Sequence, residues 1–535
     1  MLRRLLMFHA IAALPLAGAP AAAGSGVALQ VTGLPADPSK IVWERLPLLP
    51  SERITVFRGV ENVSAFNHHP TIAWHDGRFF AAWSSGDRDE DAPGQRILYA
   101  TSVDGRTWPT AVSLADAVPD HGYTPGGFWI RDGDIYALAS LRSSRGATRE
   151  SEYELLAYRW DKAKAAFVQP VRVARNFFSN DGPRRTAGGQ WLMLGKSQAP
   201  AARVAARVAR GGVDSLDAWT FGTLPGATIA HDTFWCALAD GRLVAIEAAG
   251  RPPERRLVAM FSGDSGATWS DPLPSNFPDA DSRLHGLQLS NGYHVLLNNP
   301  NPSRYRIPLS LALSRDGLQY DRIANVRIEQ TNKKYSGHAK APGYQYARGM
   351  EHDGRLWTIY SVNKEDIEIS TITLHEIERL AKSEETYPTH DLGPEVIVDN
   401  RDSRFASHRP WPTSREAPGY HGLDYAYLPA DTAGWAKWSV VAPEAGAYRL
   451  YLRWTTIGFS QKSPMEDIAP LEIRHPGGID RTTVDQTRYG GTWVCLGVHP
   501  LQAGETIEVK ITAGGDGITV ADAIKLVRIA SDPAR

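Results

Sequence analysis

The sequence contains only two cysteines among 535 residues, Cys236 and Cys495. Each is expected to act as a small buried hydrophobic residue rather than as half of a disulfide or part of a metal site. An excess of charge is also missing, because 58 basic residues face 59 acidic ones and the net charge is −1. Without a basic run there is no field to hold nucleic acid, so we expect no nucleic-acid partner.

Long apolar runs are missing after the first residues. Residues 1–24 carry two arginines, then an apolar stretch, then small residues near 21–23. That order is typical of a secretory signal. The alternative is a membrane anchor, but the apolar part is short and rich in alanine and proline for a span. We therefore expect a secreted or periplasmic protein that makes no membrane contact once the signal is removed.

Helical periodicity is scarce, and a short hairpin motif returns six times instead. In each copy a polar residue or glycine precedes a second glycine, a variable residue and an apolar run: Asp76-Gly77, Asp132-Gly133, Gly188-Gly189, Asp240-Gly241, Asn291-Gly292 and Asp353-Gly354. Successive second glycines lie 56, 56, 52, 51 and 62 residues apart. These dipeptides suit the type I′ turn of a β-hairpin. A hairpin at this period is typical of a β-propeller, in which every blade turns the same end toward one funnel.

A second repeat supports the propeller. Residues 262–269 read SGDSGATW, which fits the Asp-box pattern S-x-D-x-G-x-T-W, and 102–108 form the same turn one residue shorter. Residues 314–320 are a degenerate copy. The aspartate is expected to bond backbone N–H groups of the turn, and the tryptophan to pack between blades. A calcium loop is a poorer interpretation because too few oxygen ligands are present.

The pattern changes after about residue 390. Short strands and turns between 45 and 388 predict the propeller, while strands between 392 and 535 predict a separate β-sandwich. The predicted class is therefore all-β, with a propeller of six or seven blades followed by the sandwich.

The propeller geometry predicts which polar residues meet. Both repeated turns lie on one face, so the opposite face collects the starts of the first strands and the ends of the second strands. Residues eight to ten positions before each second glycine are rich in polar types, among them His68, His69, Tyr123, Asp181, His231, Arg283, Tyr344 and Tyr346. Arg142, Lys196, Glu247 and Asn299 end second strands, and Arg306 precedes a third strand. Polar groups at such dry positions need partners, so we expect a polar ligand site there.

The available chemistry favours elimination over hydrolysis. Glycosidases ordinarily use two facing carboxylates, and no pair stands out among Asp181, Asp232 and Glu247; Glu247 and Lys196 could simply pair with each other. A β-elimination on a uronic acid instead needs a cationic group at the carboxylate and a Tyr or His to move protons. His69, Tyr123 and Arg142 match that requirement, and no metal is needed.

Several stretches resemble a known family. They are residues 66–70 (FNHHP), 83–84, 93–95, 99–102, 298–300, 306–309, 342–346 and 360–366. Together they resemble the sialidase-like propellers that include ulvan lyases, rhamnose–glucuronate lyases and related α-L-rhamnosidases. Such propellers are usually seven-bladed, so seven blades are favoured, and a seventh would combine 54–59 with 368–374. The tail resembles the golvesin-type or xanthan-lyase-associated β-sandwich, which implies carbohydrate binding; a stabilising or docking domain is the alternative.

The resemblance implies a secreted lyase that cleaves a rhamnose/glucuronate-type polysaccharide. It maps the catalytic set onto His68, His69, Tyr123 and Arg142, with Tyr153 and Arg145 as nearby alternatives for the last two. Candidate substrate contacts are His231, Arg283, Asn299, Arg306, Tyr344 and Tyr346. No cofactor is required, although a structural Ca²⁺ is conceivable. The alternatives are an α-L-rhamnosidase-type hydrolase and a glycan-binding protein without activity.

Overall fold

In a computed structural model the described residues are 29–34, 43, 46–144, 153–199, 203–225, 233–250, 255–301, 306–329, 331, 333–337, 339–383, 395–417, 419–455, 464–491 and 493–528. The predicted signal (1–24), His231 and Arg145 therefore lie outside the described residues. Within them, no helix is long and apolar enough to cross a membrane.

Six antiparallel sheets form the predicted propeller. The first blade consists of Phe66–His75, Arg78–Gly86, Arg96–Ser102 and Val112–Ala115. The second consists of His121–Arg131, Asp134–Ser143, Glu154–Asp161, Ala166–Phe167 and Val171–Arg175. The third consists of Phe178–Ser179, Arg184–Arg185, Trp191–Ala199, Arg203–Gly211 and Trp219–Thr223.

The fifth and sixth blades include strands from the beginning of the chain, whereas the fourth does not. The fourth consists of Phe234–Ala237, Leu243–Ala249, Arg256–Ser262 and Leu273–Pro278. The fifth consists of His285–Gln288, His294–Asn298, Leu309–Ser314 and Gln319–Arg327, with Gln30–Val31 added in parallel. The sixth consists of Tyr344–His352, Arg355–Val362, Asp366–Thr373 and Glu52–Phe57.

The sixth blade closes the ring and corrects the blade number. Glu52–Phe57 pairs antiparallel with Asp366–Thr373, the two segments from which a seventh blade would have been built. A shared apolar cluster, with Phe79 and Trp83 from the first blade and Trp357 and Ile369 from the sixth, then joins the ends of the ring. The favoured count of seven is therefore wrong for the described chain, and the all-β propeller itself is confirmed.

The Asp box takes the predicted form, but the type I′ hairpin is confirmed in only three of the six copies. Both turn residues have positive φ, as a type I′ turn requires, in three hairpins: Asp76-Gly77, Asp132-Gly133 and Asp353-Gly354. In the other three hairpins only the second turn residue has positive φ: Gly189, Gly241 and Gly292. In the Asp box at 262–269, the Asp264 carboxylate accepts the backbone N–H of Thr268 at 2.9 Å. The same box anchors Trp269 in the cluster between the third and fourth blades. These turns are structural and lie away from the site described below.

The C-terminal part is a β-sandwich, as predicted. One sheet is ordered Val396–Asp399, Ala523–Arg528, Gly446–Arg453 and Val494–Leu501. The other is ordered Phe405–Ser407, Gly434–Val441, Thr506–Ala513, Ala469–His475 and Gly478–Val484. A small sheet contains Thr413–Ser414, Tyr425–Leu428 and Thr519–Ala521.

One helix, Leu374–Ala381, follows the sixth blade. It begins at the N-cap Thr373, whose side chain accepts the backbone N–H of Glu376. The helix buries Ile377 and Leu380 in an apolar cluster shared by the fifth blade, the sixth blade and the sandwich. Among the described residues, neither Cys236 nor Cys495 is part of a disulfide.

Candidate functional site

The starts of first strands and ends of second strands meet at one end of the propeller. His68 and His69 from the first blade stack close to Tyr346 from the sixth, with ring centroids 4.2 Å and 5.3 Å from the tyrosine respectively. The two imidazoles lie 4.3 Å apart. We call these three side chains the aromatic triad. They bring together two predicted catalytic residues and one predicted substrate contact.

The same backbone distortion orients the side chains of His69 and Tyr346. Both residues have positive φ, 55° and 56°, and each lies where the pairing of its strand with the next shifts register. Such a bulge redirects side chains, which is why bulges often lie beside functional sites. The strain of placing two non-glycine residues in the left-handed region is itself a feature of functional geometry.

His68 lies at the bottom of the triad and is fully buried. Its Nδ1 lies 2.7 Å from Ser361 Oγ, and that hydroxyl donates to the Gln345 carbonyl at 3.5 Å. The proton of a neutral imidazole therefore belongs on Nδ1. Its Nε2 has no hydrogen-bond partner among the described residues. Burial, assisted by the neighbouring His69 and Lys364, lowers the pKa of His68 well below 6.5, so the ring is neutral with a lone pair on Nε2.

Glu90 fixes His69 from the loop that follows the second strand of the first blade. Its carboxylate lies 3.2 Å from His69 Nε2 and also pairs with the Lys364 ammonium. Ser84 Oγ lies 3.1 Å from His69 Nδ1 on the other side of the ring. Burial alone would raise the pKa of Glu90, but the Lys364 charge and the His69 bond outweigh it and hold that pKa well below 4.5. Glu90 is therefore an anion that orients His69.

A metal ion would fit poorly at this point. One ligand atom each from His68, His69 and Glu90 lie within 4.8 Å of one another, so the donor types suit a divalent cation. However, the Lys364 ammonium already bonds the Glu90 carboxylate. A cation held there would lie beside a second positive charge.

Two guanidinium groups flank Tyr346. The Cζ atoms of Arg283 and Arg306 each lie 5.1 Å from the centre of its ring. Arg306 Nη2 donates to the Asp281 carbonyl at 3.0 Å, and Arg283 Nη1 donates to the Asn180 carbonyl at 3.3 Å. These bonds hold the two cations at the funnel, where they form a positive region suited to a carboxylate ligand.

Asn299 and Tyr344, two predicted substrate contacts, are used internally. The Asn299 amide donates to the carbonyls of Arg306, Pro308 and Tyr344 at 3.1, 3.0 and 2.9 Å. Tyr344 is 1% exposed, and its hydroxyl donates to the Glu329 carbonyl at 3.0 Å. Both residues shape the backbone around Arg306 and do not face the funnel.

Tyr123 and Arg142 take different positions from the aromatic triad. Tyr123 packs in the apolar cluster between the first two blades, and burial raises the pKa of its phenol. Among the described residues, no hydrogen bond or ring contact joins the phenol to His68 or His69. Arg142 pairs with Asp91, the neighbour of Glu90 in the chain. The alternative Tyr153 is buried and stacks edge-on against Phe178.

Sequence reasoning missed Glu90 and Lys364 as members of the site. Lys364 closely follows the second strand of the sixth blade, Arg355–Val362, and its φ of 59° puts it in a tight turn. Glu90 lies in the acidic run at 87–91, which directly follows a second strand. That position was the available signal, because second strands end at the funnel.

A cavity of about 590 Å³ lies between the first strands of the blades. Its most buried acid is Asp181, which pairs with Arg184 at 2.9 Å, Arg348 at 3.2 Å and His285 at 3.3 Å. Burial opposes ionisation, but Arg348, His285 and Arg184 hold the pKa of Asp181 well below 3.8. This carboxylate is fully compensated by protein groups, so it is a structural plug of the channel rather than a second carboxylate for catalysis.

Glu247 and Lys196 are separate groups. Glu247 Oε2 accepts a hydrogen bond from the Thr233 hydroxyl at 3.0 Å, while the Lys196 ammonium lies 4.6 Å from the centre of the Phe178 ring. Burial raises the pKa of Glu247 to about 7.

Known proteins resemble both parts of the chain. Residues 77–389 match the family model of a BNR repeat-like domain, and residues 396–528 match that of the Golvesin C-terminal domain. The xanthan lyase of Bacillus sp. (strain GL1) is 35% identical over 145 residues, which cover 25% of this chain and 15% of that enzyme. A solved sialidase structure is 16% identical, covers 95% of this chain and 54% of its own, and has a TM-score of 0.50.

The two relatives are longer than the matched regions. This chain spans 15% of the xanthan lyase and about half of the sialidase. At 16% identity the sialidase supports the fold alone. The matches confirm the golvesin-type module and a sialidase-like propeller of the kind found in glycan-acting enzymes.

Proposed function

The chain belongs to the BNR repeat-like domain family, and from that premise and its funnel chemistry we propose that it is a secreted polysaccharide lyase. It would cleave a uronic-acid-containing glycan of the rhamnose/glucuronate type by β-elimination. The observation that carries the proposal is Tyr346, whose ring lies beside two imidazoles and is flanked by two guanidinium groups.

The groups fit the two demands of the reaction. Removal of the C5 proton of a uronate builds negative charge on its carboxylate, which Arg283 and Arg306 would stabilise. Tyr346 is partly exposed and can reach the sugar, whereas His68 is buried beneath it. Both ring nitrogens of His69 already face protein groups. We therefore assign both proton transfers to Tyr346 and positioning roles to His69 and His68.

The proposed step balances without a co-reactant. Tyr346, as the phenolate, takes the C5 proton, and the electron pair of that C–H bond forms the C4–C5 double bond. The bond between C4 and the glycosidic oxygen breaks, and the Tyr346 phenol gives the proton to that oxygen. The products are a 4,5-unsaturated uronate and a saccharide with a free hydroxyl. Tyr346 thus replaces Tyr123, and the arginine pair replaces Arg142, in the mechanism expected from sequence.

The carboxylates argue against a two-carboxylate glycosidase at the triad. Glu90 is committed to His69 and Lys364. Asp181 is compensated by Arg348, His285 and Arg184. A retaining or inverting enzyme needs a facing pair that is available to the sugar.

A pair of tyrosine variants tests the proposal. Purified protein is incubated with ulvan or an arabinogalactan-type glucuronide, and the ultraviolet absorbance of the new double bond is followed. Tyr346→Phe should lose about 100-fold or more in turnover, the usual contribution of a proton-transferring group. Tyr123→Phe, the matched control, should keep turnover because its phenol lies in the interblade core. Equal losses, or a loss in Tyr123→Phe alone, would overturn the assignment.

Chelation tests the cofactor expectation. Because Lys364 supplies the cation beside Glu90, dialysis against EDTA should leave the elimination rate unchanged. A rate that collapses and recovers with added Ca²⁺ or Zn²⁺ would contradict a metal-free mechanism.

One observation favours a second candidate, a rhamnosidase-type hydrolase. Glu247 ends a second strand of the fourth blade, and with its pKa raised to about 7 by burial it is protonated in part at neutral pH. A protonated carboxyl can act as a general acid. Mass analysis separates the candidates, since hydrolysis gives only saturated products. Saccharide binding without turnover in the wild type would instead indicate a glycan-binding protein.

A further inference from the structure

We propose that the sandwich loop 485–491 and the propeller together form a saccharide subsite next to the aromatic triad. Resting on the proposed function, this inference names where the sugar beyond the reacting uronate binds. The sandwich would then be part of the substrate cleft rather than a separate tether. Three features carry the inference: the position of Tyr489, the anchoring of its loop, and the path from that loop to Arg306.

Tyr489 extends from the sandwich onto the propeller. Its hydroxyl donates to the Pro342 carbonyl at 3.2 Å, and its ring remains partly exposed. The positive charge of Arg306 acts on this phenol, and burial raises the pKa of Tyr489 to about 12, so the hydroxyl is neutral. A neutral phenol beside a guanidinium is a suitable partner for a sugar ring and its hydroxyls.

The loop is held rigidly from both domains. On the sandwich side, Trp454 Nε1 donates to the Arg488 carbonyl at 2.9 Å, and the Gly491 N–H donates to the Trp454 carbonyl at 2.7 Å. On the propeller side, Lys333 Nζ lies 2.9 Å from Asp485 Oδ2. The Asp485 side chain is 5% exposed and that of Lys333 is 18% exposed, so this pair is shielded from water. Tyr489 therefore keeps its place without a ligand.

The segment that Tyr489 contacts also positions Arg306. Gly343, next to Pro342, forms a bridge with Arg306, and the N–H of the following residue donates to the Arg306 carbonyl at 3.1 Å. Gly343 has φ of 111°, and a Cβ there would lie 2.6 Å from the Arg306 oxygen. The close approach thus requires glycine. One short path runs from Tyr489 through this segment to Arg306 and on to the ring of Tyr346.

The ligand class follows from this placement. Arg306 would hold the carboxylate of the reacting uronate, as proposed above. The partly exposed phenol on its far side would then meet the neighbouring neutral sugar, rhamnose in the favoured substrates. Substrates long enough to reach it should bind more tightly than those that end at the uronate.

Kinetics on a series of oligosaccharides of increasing length test the subsite in the full chain. Tyr489→Ala should raise KM about 5- to 10-fold for substrates that extend past the uronate, the range of one aromatic contact. It should leave kcat and the KM of the shortest cleaved substrate unchanged. Tyr427→Ala, a partly buried tyrosine elsewhere in the sandwich, is the matched control and should change neither value.

A second variant guards against local unfolding. Tyr489→Phe keeps the ring and loses only the bond to Pro342, so it should fold and lie between wild type and Tyr489→Ala. No change in KM, an equal change for short and long substrates, or the same effect in Tyr427→Ala would overturn the subsite. If the wild type binds but never cleaves, the proposed function fails, and calorimetric affinities for the same series still decide the subsite.

Discussion

Replacing Lys364 by methionine tests whether its ammonium is what keeps Glu90 ionised beside His69. The two side chains are 7% and 17% exposed, so the pair is largely shielded from water. Methionine fills a similar volume and removes the charge. Glu90 would then be a buried carboxylate with only the His69 contact at 3.2 Å to compensate it.

Lys364→Met is expected to lower the free energy of unfolding substantially. Breaking a buried ion pair by removing one partner destabilises a protein by about 3–5 kcal/mol. Because Glu90 keeps His69, we expect the lower end, about 3 kcal/mol, in the free energy of unfolding. Lys334→Met is the matched control: its ammonium bonds Asp366 at 2.6 Å but is 41% exposed, and Asp366 keeps Arg58 at 2.9 Å. An exposed pair of this kind contributes about 1 kcal/mol or less.

The stability difference between Lys364→Met and wild type should depend on pH. In the wild type the pKa of Glu90 lies well below 4.5, so its contribution is present above the unfolded-state pKa and is lost as the pH falls through the folded one. In Lys364→Met burial acts without the ammonium and the folded pKa rises. The deficit relative to wild type should therefore be largest near neutral pH and shrink on acidification, as Glu90 takes up a proton.

Denaturant unfolding at several pH values measures this, with the double variant Glu90→Gln/Lys364→Met as the decisive comparison. Removing both charges should return stability to within about 1 kcal/mol of wild type, because replacing a whole buried pair by neutral groups is often nearly neutral. If the double variant were as unstable as Lys364→Met, or the deficit did not depend on pH, the assignment of Glu90 as a compensated anion would be refuted.

Three further predictions concern other parts of the propeller. Gly105→Ala should lower the melting temperature clearly more than Gly77→Ala, since both have positive φ but only at Gly105 would a Cβ meet a side chain, 2.5 Å from Trp357. In the wild type, the Glu247 carboxyl, with its pKa raised to about 7, holds its proton more tightly when folded, so the free energy of unfolding should fall by about 3 kcal/mol between pH 4 and 8. Glu247→Gln should not show this decrease in unfolding experiments over the same pH range. Asn299→Ala should cost about 2 kcal/mol in denaturant unfolding, since the buried carbonyls of Pro308 and Tyr344 each lose a hydrogen bond from its amide.

The propeller could be predicted because its signal is local and repeated. Each hairpin dipeptide indicates a turn from local sequence alone, and six of them at a near-constant spacing indicate a ring of blades. The blade count could not be read in the same way. The strand that completes the sixth blade, Glu52–Phe57, is about 300 residues from its partner Asp366–Thr373 in the chain. The local sequence of neither segment indicates that the two belong to the sheet of the sixth blade.

The sequence predicted a polar site at this end of the propeller with Tyr123 as its phenol, whereas the structure puts Tyr346 beside the two histidines. Counting back from the second glycine, His69 and Tyr346 occupy the same position, eight residues earlier, and both bend into the funnel through positive φ. Tyr123 and Tyr344 share another position, ten residues earlier, and both are buried in cores instead. The side-chain direction therefore depends on the residue as well as on its position in the repeat, because Leu284, at the His69 position of the fifth blade, is buried in an apolar core.

The second blade shows how the residue eight positions before the second glycine affects the bend of the first strand. The second blade has Pro125 at that position. Because the proline ring fixes φ near −65°, this residue cannot adopt the positive φ found at His69 and Tyr346. Its register shift falls later, between Pro125 and Phe128, and is accommodated by Gly127 with φ of 91°. Tyr123 therefore continues as an ordinary strand residue into the interblade core. At the same position the sixth blade has Tyr346, whose positive φ of 56° brings its ring beside the two histidines.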